Sequence, residues 1–273
     1  MKILRFKLKD ETRIGFLSDQ KIIPFPSKFG NDIINIIAKW DEIKMEMDSY
    51  IGIENEKFDL DETDLLAPIE SPSKFLAIGL NYKKHRQETI DAGITPPRNQ
   101  MWFTKQISCI NSPYGNIIKP DATMMLDYEV ELAFIVGKKC YQVSADKAQD
   151  YIFGYMVSLD ISDRGRRPPN SRPGSDWLVG KGHDTFAPLG PWIVPKEFYG
   201  DPMENLEQIL ELDGEVMQRA GPGDMIHSIY ELIEYGTSII TMYPGDVLNN
   251  GTSGGTGMVR LTVRDGSYSL ERQ

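Results

Sequence analysis

The sequence predicts an α+β fold, and three observations carry that prediction. Strand-like runs outnumber helix-like ones along the chain. They do not alternate one for one with helices, as a doubly wound parallel sheet requires. The 273 residues are 40% hydrophobic and 26% charged, which allows a sizeable core in one large domain or one large plus one small. There is no internal repeat and no low-complexity tract.

Residues 2–8 alternate charged and apolar side chains and read as a strand, 12–17 as a second, and Ile22-Ile23-Pro24 closes a third. Across 32–48, Ile33, Ile34, Ile36, Ile37, Trp40, Ile43 and Met47 recur at helical spacing, with Asn31 or Asp32 as N-cap. The acidic stretch 54–70 reads as a linker, so a small N-terminal domain with its linker is expected over 1–70 and a larger domain over 71–273. In the larger part, 75–80 is a short buried strand, 82–92 a short helix or lid, and Thr95-Pro96-Pro97 a loop. Further strands are expected at 129–136, 151–160, 190–194, 207–212, 246–249 and 258–263, and helices at 145–150 and 225–242.

Composition narrows the function. Forty acidic against thirty basic residues give a formal charge of −10, which leaves no sequence-wide footprint for nucleic acid or an anionic membrane. A small anionic substrate is still allowed, because a local cation or a metal outweighs the global sign. The longest apolar run, Leu132-Ala133-Phe134-Ile135-Val136, is far below the ~18–20 residues of a membrane span. The first ten residues have no signal-peptide core. Two cysteines, Cys109 and Cys140, make neither a disulfide framework nor a Cys-based zinc site. A reducing cytoplasm is the simplest compartment.

The most informative stretch is Asp127-Tyr128-Glu129-Val130-Glu131-Leu132. As a strand it places Asp127, Glu129 and Glu131 on one face, with successive carboxylates about 6.6 Å apart along the chain. Such a pair can aim at one ion, and without one each raises the other's pKa; a solvated edge-strand face has the same pattern. A second apolar run, 151–160, ends in Asp160, whose carboxylate needs a metal, Arg164 or a helix N-terminus if buried. Oxygen ligands from Glu129, Glu131 and Asp160 suit Mg²⁺ or Mn²⁺, whereas zinc is disfavoured for want of a His cluster or thiolate pair.

Histidine occurs only at 85, 183 and 227. On a helix His85 and Glu88 share a face at i, i+3, as a carboxylate-oriented general base or as a surface charge pair. His183 and His227 are assigned structural roles. Lys181 stands between Gly180 and Gly182 among apolar residues. It is placed to balance the carboxylates or to hold a developing enolate or oxyanion. The glycine-rich stretch 251–257 lacks the Gly-Lys-Ser/Thr ending and the Rossmann spacing. It reads as a turn presenting N–H groups and Thr252 to a carboxylate, or as a plain turn.

Taken in order, these motifs resemble the fumarylacetoacetate hydrolase family over most of residues 74–258. The resemblance is carried by Gly79-x-Asn81-Tyr82-x-x-His85-x-x-Glu88, Asp127-Tyr128-Glu129-Val130-Glu131, and Asp160-x-Ser162-x-Arg164. It continues through Trp177-x-x-Gly180-Lys181, Gly214-Glu215-x-x-Gln218, Pro244-Gly245-Asp246 and Gly251-Thr252. It implies a mixed β-sandwich or β-roll with a small N-terminal domain, assembled as a homodimer. Glu129, Glu131 and Asp160 would bind Mg²⁺ or Mn²⁺, chelated in turn by a small anionic 2-oxo acid. His85, Glu88 and Lys181 would be catalytic, with the dyad on a lid, and Arg164, Gly251 and Thr252 would bind substrate.

The implied activity is hydrolysis of a C–C bond in a 2,4-dioxo acid, an acylpyruvate or a diketo sugar acid. His85 would take a proton from water, and bond breaking would run toward an enolate held by the ion and Lys181. The alternative on the same metal site is a decarboxylase, isomerase or dehydratase of a small keto acid such as oxaloacetate. A non-catalytic ligand-binding or scaffold role is the third reading, against which the retained base argues. Three positions depart from the family pattern. Gly165 and the arginines after it follow Arg164 where Asp and Gln are common, Ser253 replaces Pro, and Gly182 replaces Ser. The basic, Pro-rich run 164–172 reads as a site for a second anionic group or a polyol acid, or as an exposed loop.

Overall fold

The computed structural model describes residues 1–51, 56–121, 125–164 and 176–258. The N-terminal part is a five-stranded sheet built on β1 (Lys2–Leu8), β2 (Glu11–Ser18), β3 (Lys21–Pro24), β4 (Phe58–Asp59) and β5 (Asp64–Leu66), in the order β4-β3-β2-β1-β5. The stretch expected to be a linker therefore supplies both edge strands. They are two and three residues long, too short for alternation to be visible. β1 is buried on both faces: Ile3 faces one apolar cluster, Leu4 and Phe6 another with Ile22 and Leu65.

The single helix expected over 32–48 is two, α1 (Ile33–Ala38) and α2 (Trp40–Ile51). Asp32 caps α1, its side chain accepting from the Ile34 N–H at 2.9 Å. The break at Lys39 lets both helices turn apolar residues into one cluster. Ile33, Ile36, Ile37, Trp40, Ile43 and Met47 pack there with Phe75, Ala133, Ile135, Phe153, Met156 and Val247 of the second sheet. Trp40 meets Phe153 edge-on at 5.5 Å, and its indole N–H donates to Glu197 at 2.6 Å. Ile3 and Ile193 exchange backbone hydrogen bonds of 2.8 and 2.7 Å, so the two sheets share a core as well as a strand contact.

The larger part contains, in order, β6 (Phe75–Gly79), α3 (Lys83–Asp91), β7 (Met101–Thr104), β8 (Ile110–Asn111), β9 (Leu126–Asp127), β10 (Val130–Val136), β11 (Ile152–Leu159) and β12 (Ser162–Asp163). Then come α4 (Trp177–Lys181), β13 (Ala187–Pro188), β14 (Val194–Pro195), α5 (Lys196–Tyr199), α6 (Pro202–Asn205), β15 (Gln208–Leu212), β16 (Glu215–Ala220), α7 (Ile229–Ile239) and β17 (Val247–Asn249). Six of the strands form a mixed sheet, β14-β11-β10-β17-β6-β7, parallel only at β17 and β6. Its central strand β10 is buried at every position. Ala133 and Ile135 face the shared cluster, while Leu132, Phe134 and Val136 face a second one closed by Ile229, Leu232 and Ile233 of α7. Mixed sheets with helices packed on them bear out the α+β class.

Several elements differ from expectation. Residues 145–150 belong to a 3₁₀ helix, Ala145–Tyr151. The helix expected over 225–242 is the shorter α7, because Ser228 and Glu231 form a capping box that starts it at Ile229. Only Val194 of the expected strand 190–194 enters the sheet, as the start of β14. The strand expected at 258–263 lies outside the described residues beyond Met258. Among the described residues, no helix is long and apolar enough to cross a membrane.

Candidate active site

The acidic cluster forms where one strand begins and its antiparallel neighbour ends. β10 and β11 run antiparallel with Glu131 opposite Ser158, so Glu129, just before β10, comes beside Asp160, just after β11. The Asp160 N–H donates to the Glu129 carbonyl at 2.9 Å and closes the pair. Glu129 has φ of +46°, a left-handed conformation that is uncommon away from glycine. It breaks the continuous strand expected from Asp127 through Glu131. The break turns Asp127 into β9, which pairs with β12, and away from the other two carboxylates.

Glu129, Glu131 and Asp160 are all buried, and one carboxylate oxygen of each lies within 4.8 Å of the others. Three cations surround them. Lys181, at the end of α4, is 2.5 Å from both Glu129 and Asp160. Lys105, just after β7, is 2.8 Å from Asp160 and donates to the Phe186 carbonyl at 3.0 Å. Arg164 contacts Glu129 and binds Asp127 through two N–H groups at 2.9 and 3.0 Å. Asp127 in turn accepts from the Gly257 N–H at 2.7 Å.

Glu131 differs from its neighbours. It makes no ion pair among the described residues, and its carboxylate accepts the Gly251 N–H at 3.0 Å. Burial, and after it the Asp160 charge, push its carboxyl well above the usual range. Burial also opposes the Asp160 anion, but Lys105 and Lys181 outweigh it and hold that carboxyl below the usual range. Burial lowers the Lys181 ammonium despite Asp160. Among the described residues, four carboxylates thus meet three cations, and Glu131 is the carboxylate with no ion pair of its own, though Lys181 and Lys105 favour its charged form. A buried anion of this kind costs several kcal/mol. The all-oxygen donor set and the carboxylate with no ion pair both fit a hard divalent cation, which Glu129, Glu131 and Asp160 would hold.

The His85–Glu88 pair is on α3. His85 Nδ1 lies 3.2 Å from Glu88 Oε2, while Glu88 Oε1 accepts the Gly255 N–H at 2.8 Å. Gly255 has φ of +97°, and a Cβ there would lie 2.1 Å from the Met217 carbonyl, so this contact requires glycine. The dyad is therefore tied to the glycine-rich loop. His85, Glu129, Glu131, Asp160, Lys181, Arg164 and Thr252 all line one cavity of about 160 Å³.

Glu88 stands behind His85, and the Gly251 N–H is taken by Glu131. The Thr252 hydroxyl donates to the Val130 carbonyl at 3.0 Å and accepts from Gln218 at 2.8 Å. His183 and His227 do not line the cavity. The His227 backbone instead bonds the Asn81 side chain at 2.9 and 3.0 Å. The remainder of the basic run, 165–172, lies outside the described residues.

Two residues escape the sequence reading. Lys105 closes an apolar strand, as Asp160 does, and that parallel was the available signal. Gln218 appears in a motif without a role. In the structure it bonds the Val130 N–H at 3.0 Å, the Thr252 hydroxyl and the Ser253 carbonyl, fastening the start of β10 to the glycine loop.

Comparison with known proteins finds relatives over the span that carries this site. The mitochondrial oxaloacetate tautomerase Fahd2a of Rattus norvegicus is 38% identical over 199 residues, 73% of this chain and 61% of that protein. The 2,4-didehydro-3-deoxy-L-rhamnonate hydrolase of Sphingomonas sp. (strain SKA58) is 37% identical over 190 residues, 70% of this chain and 64% of that protein. This chain thus spans less than two thirds of those relatives' length. The maleylpyruvate hydrolase of Sphingobium sp. SYK-6, solved with manganese(II) and pyruvate, superposes with a TM-score of 0.80 at 26% identity, covering 94% of this chain and 90% of that one. The family profile for the C-terminal part of fumarylacetoacetate (FAA) hydrolase matches residues 74–271, the span over which the motifs run and the cavity is built. The chain belongs to the fumarylacetoacetate hydrolase family.

Proposed function

We propose that this chain is a divalent-metal-dependent hydrolase that cleaves a C–C bond in a 2,4-dioxo acid. One observation carries the reading: a buried cluster of three carboxylates and Lys181 shares a cavity with His85, which Glu88 backs from outside the cavity wall. Glu129, Glu131 and Asp160 would hold Mg²⁺ or Mn²⁺. When bound, the ion supplies Lewis-acid polarisation of the substrate's 2-oxo acid end.

The remaining roles follow from side-chain geometry. Glu88, held by the Gly255 N–H, orients His85 through Nδ1 and leaves Nε2 to accept a proton from water. The water oxygen bonds to the distal carbonyl carbon. The bond between that carbon and C3 breaks, and its electron pair passes to the 2-oxo acid fragment as an enolate. Lys181, positioned by Glu129 and Asp160, offers its ammonium to the developing negative charge. Protonation of the enolate carbon completes release of pyruvate and a carboxylic acid, with one water consumed.

A second reading, keto–enol isomerisation of a small keto acid such as oxaloacetate, is favoured by the 38% identity to an oxaloacetate tautomerase. There His85 would move a proton at carbon with no attacking water. The test is the loss of enol absorbance from a panel of acylpyruvates and 2,4-dioxo sugar acids with Mg²⁺ or Mn²⁺, repeated with chelator, with oxaloacetate alongside. Chelator-sensitive release of pyruvate from a dioxo acid supports hydrolysis. Turnover of oxaloacetate alone, with the dioxo acids intact, supports the second reading against the first.

A further inference from the structure

Away from the carboxylates the cavity changes character. Its remaining wall includes Ile94, Pro96 and Pro97 from the loop after α3, Met101 and Phe103 on β7, and Trp177 at the start of α4. Phe103 and Trp177 stack at 4.4 Å with their planes 9° apart, and the Lys181 ammonium is 5.3 Å from the Phe103 ring centre. The apolar wall thus begins directly beside the charged end. Among the described residues, the cations that line the cavity are Arg164 and Lys181, and both are engaged by carboxylates. Nothing described in that wall offers a counter-charge to a second anionic group, and a carboxylate carried into it would lose hydration without return.

The geometry points to a substrate whose 2-oxo acid head carries a short, uncharged, apolar tail, with Met101 as the residue that sets tail length. This rests on the reading of the cavity as a 2-oxo acid site. The volume of about 160 Å³ is close to the about 150 Å³ of an engineered apolar cavity that admits benzene. The cavity is open to solvent on one side, so the wall covers only the tail carbons nearest the head, and carbons beyond it stay in water and add nothing. Met101 stands two residues along β7 from Phe103, the ring beside Lys181, and so farther from the charged end. A Cβ at Gly79 would lie 2.2 Å from the Met101 methyl, so the methionine packs flush against the backbone of β6 only because residue 79 has no side chain. Truncating Met101 deepens the cavity there, and adding a methyl at Gly79 drives Met101 out of its place.

The experiment is calorimetric binding of non-cleavable 2-oxo acids to the full chain loaded with Mn²⁺, comparing 2-oxobutanoate, 2-oxohexanoate, 2-oxooctanoate and 2-oxoglutarate. Each tail methylene buried should tighten binding about fourfold. 2-Oxohexanoate should bind at least ~10-fold more tightly than 2-oxobutanoate or 2-oxoglutarate. Met101→Ala should shift the preference from 2-oxohexanoate to 2-oxooctanoate, and Met101→Leu should retain the wild-type order. Equal or tighter binding of 2-oxoglutarate, or an unchanged tail preference in Met101→Ala, would overturn the inference while leaving the 2-oxo acid site standing. Binding of no 2-oxo acid would overturn both.

Discussion

Replacing Glu131 with glutamine separates a metal ligand from a structural carboxylate, because the two roles predict opposite signs. Glu131 is buried, has the Gly251 N–H as its hydrogen-bond donor, and faces Asp160 with no ion pair of its own among the described residues. Glutamine keeps the shape and the carbonyl acceptor for Gly251 and removes the charge. Replacing buried charged groups by neutral ones of similar volume is neutral or stabilises a fold by about 1–4 kcal/mol, and an anion with no ion pair belongs on the stabilising side. Because the Gly251 hydrogen bond is kept in both forms, the lower half of that range is expected, about 1–2 kcal/mol. The pH dependence has a definite sign. With a folded-state pKa above the ordinary 4.5, the native state binds more protons than the unfolded one, and this residue's contribution to stability falls as pH rises from about 4.5 toward the raised value. Glu131→Gln should remove that slope. Denaturant unfolding in chelator, at several pH values, gives both quantities. In the wild type, Mn²⁺ at 100 times its Kd should add about 2.7 kcal/mol, and in the variant most of that gain should vanish. A variant that is destabilised in chelator and still stabilised by Mn²⁺ would refute the reasoning.

Three further outcomes are expected. His85→Ala should lower kcat for dioxo acid hydrolysis by about 10²–10⁴-fold while sparing 2-oxo acid binding measured by calorimetry, and weakened binding of the same size would reassign the residue to the ligand. Lys105→Met leaves Asp160 with Lys181 as its cation, so the loss should lie at the low end of the ~3–5 kcal/mol typical of breaking a buried pair, read by urea unfolding in chelator. Ser228→Ala removes the capping box of α7 and should cost about 1 kcal/mol, with no change in Mn²⁺ affinity. A shift in that affinity would mean that α7 reaches the site.

How far the site was legible follows from where each interaction lives in the chain. β10 and β11 were legible because one is an apolar run that opens with acid and the other an apolar run that closes with it, and each pattern is local. Their meeting is not local: Glu129 reaches Asp160 only because the antiparallel register sets Glu131 opposite Ser158, a pairing neither strand encodes by itself. Motif order supplied the link that physical reading of either strand left open. Asp127 shows the opposite failure. Period-two counting puts it with Glu129 and Glu131, yet the left-handed turn at Glu129 sends it to Arg164, and no glycine or proline announces that turn. The same silence hid the break at Lys39, where burial of both helices on one cluster overrides a continuous helical pattern. Lys105 lies in a stretch to which the sequence reading assigns no element, and its ammonium is fully buried. A buried lysine is visible only once its carboxylate is placed, and that carboxylate is 55 positions away, across two sheet elements. The residues hardest to read are those whose partners lie far off in sequence, and in this fold they are the ones that balance the charge of the site.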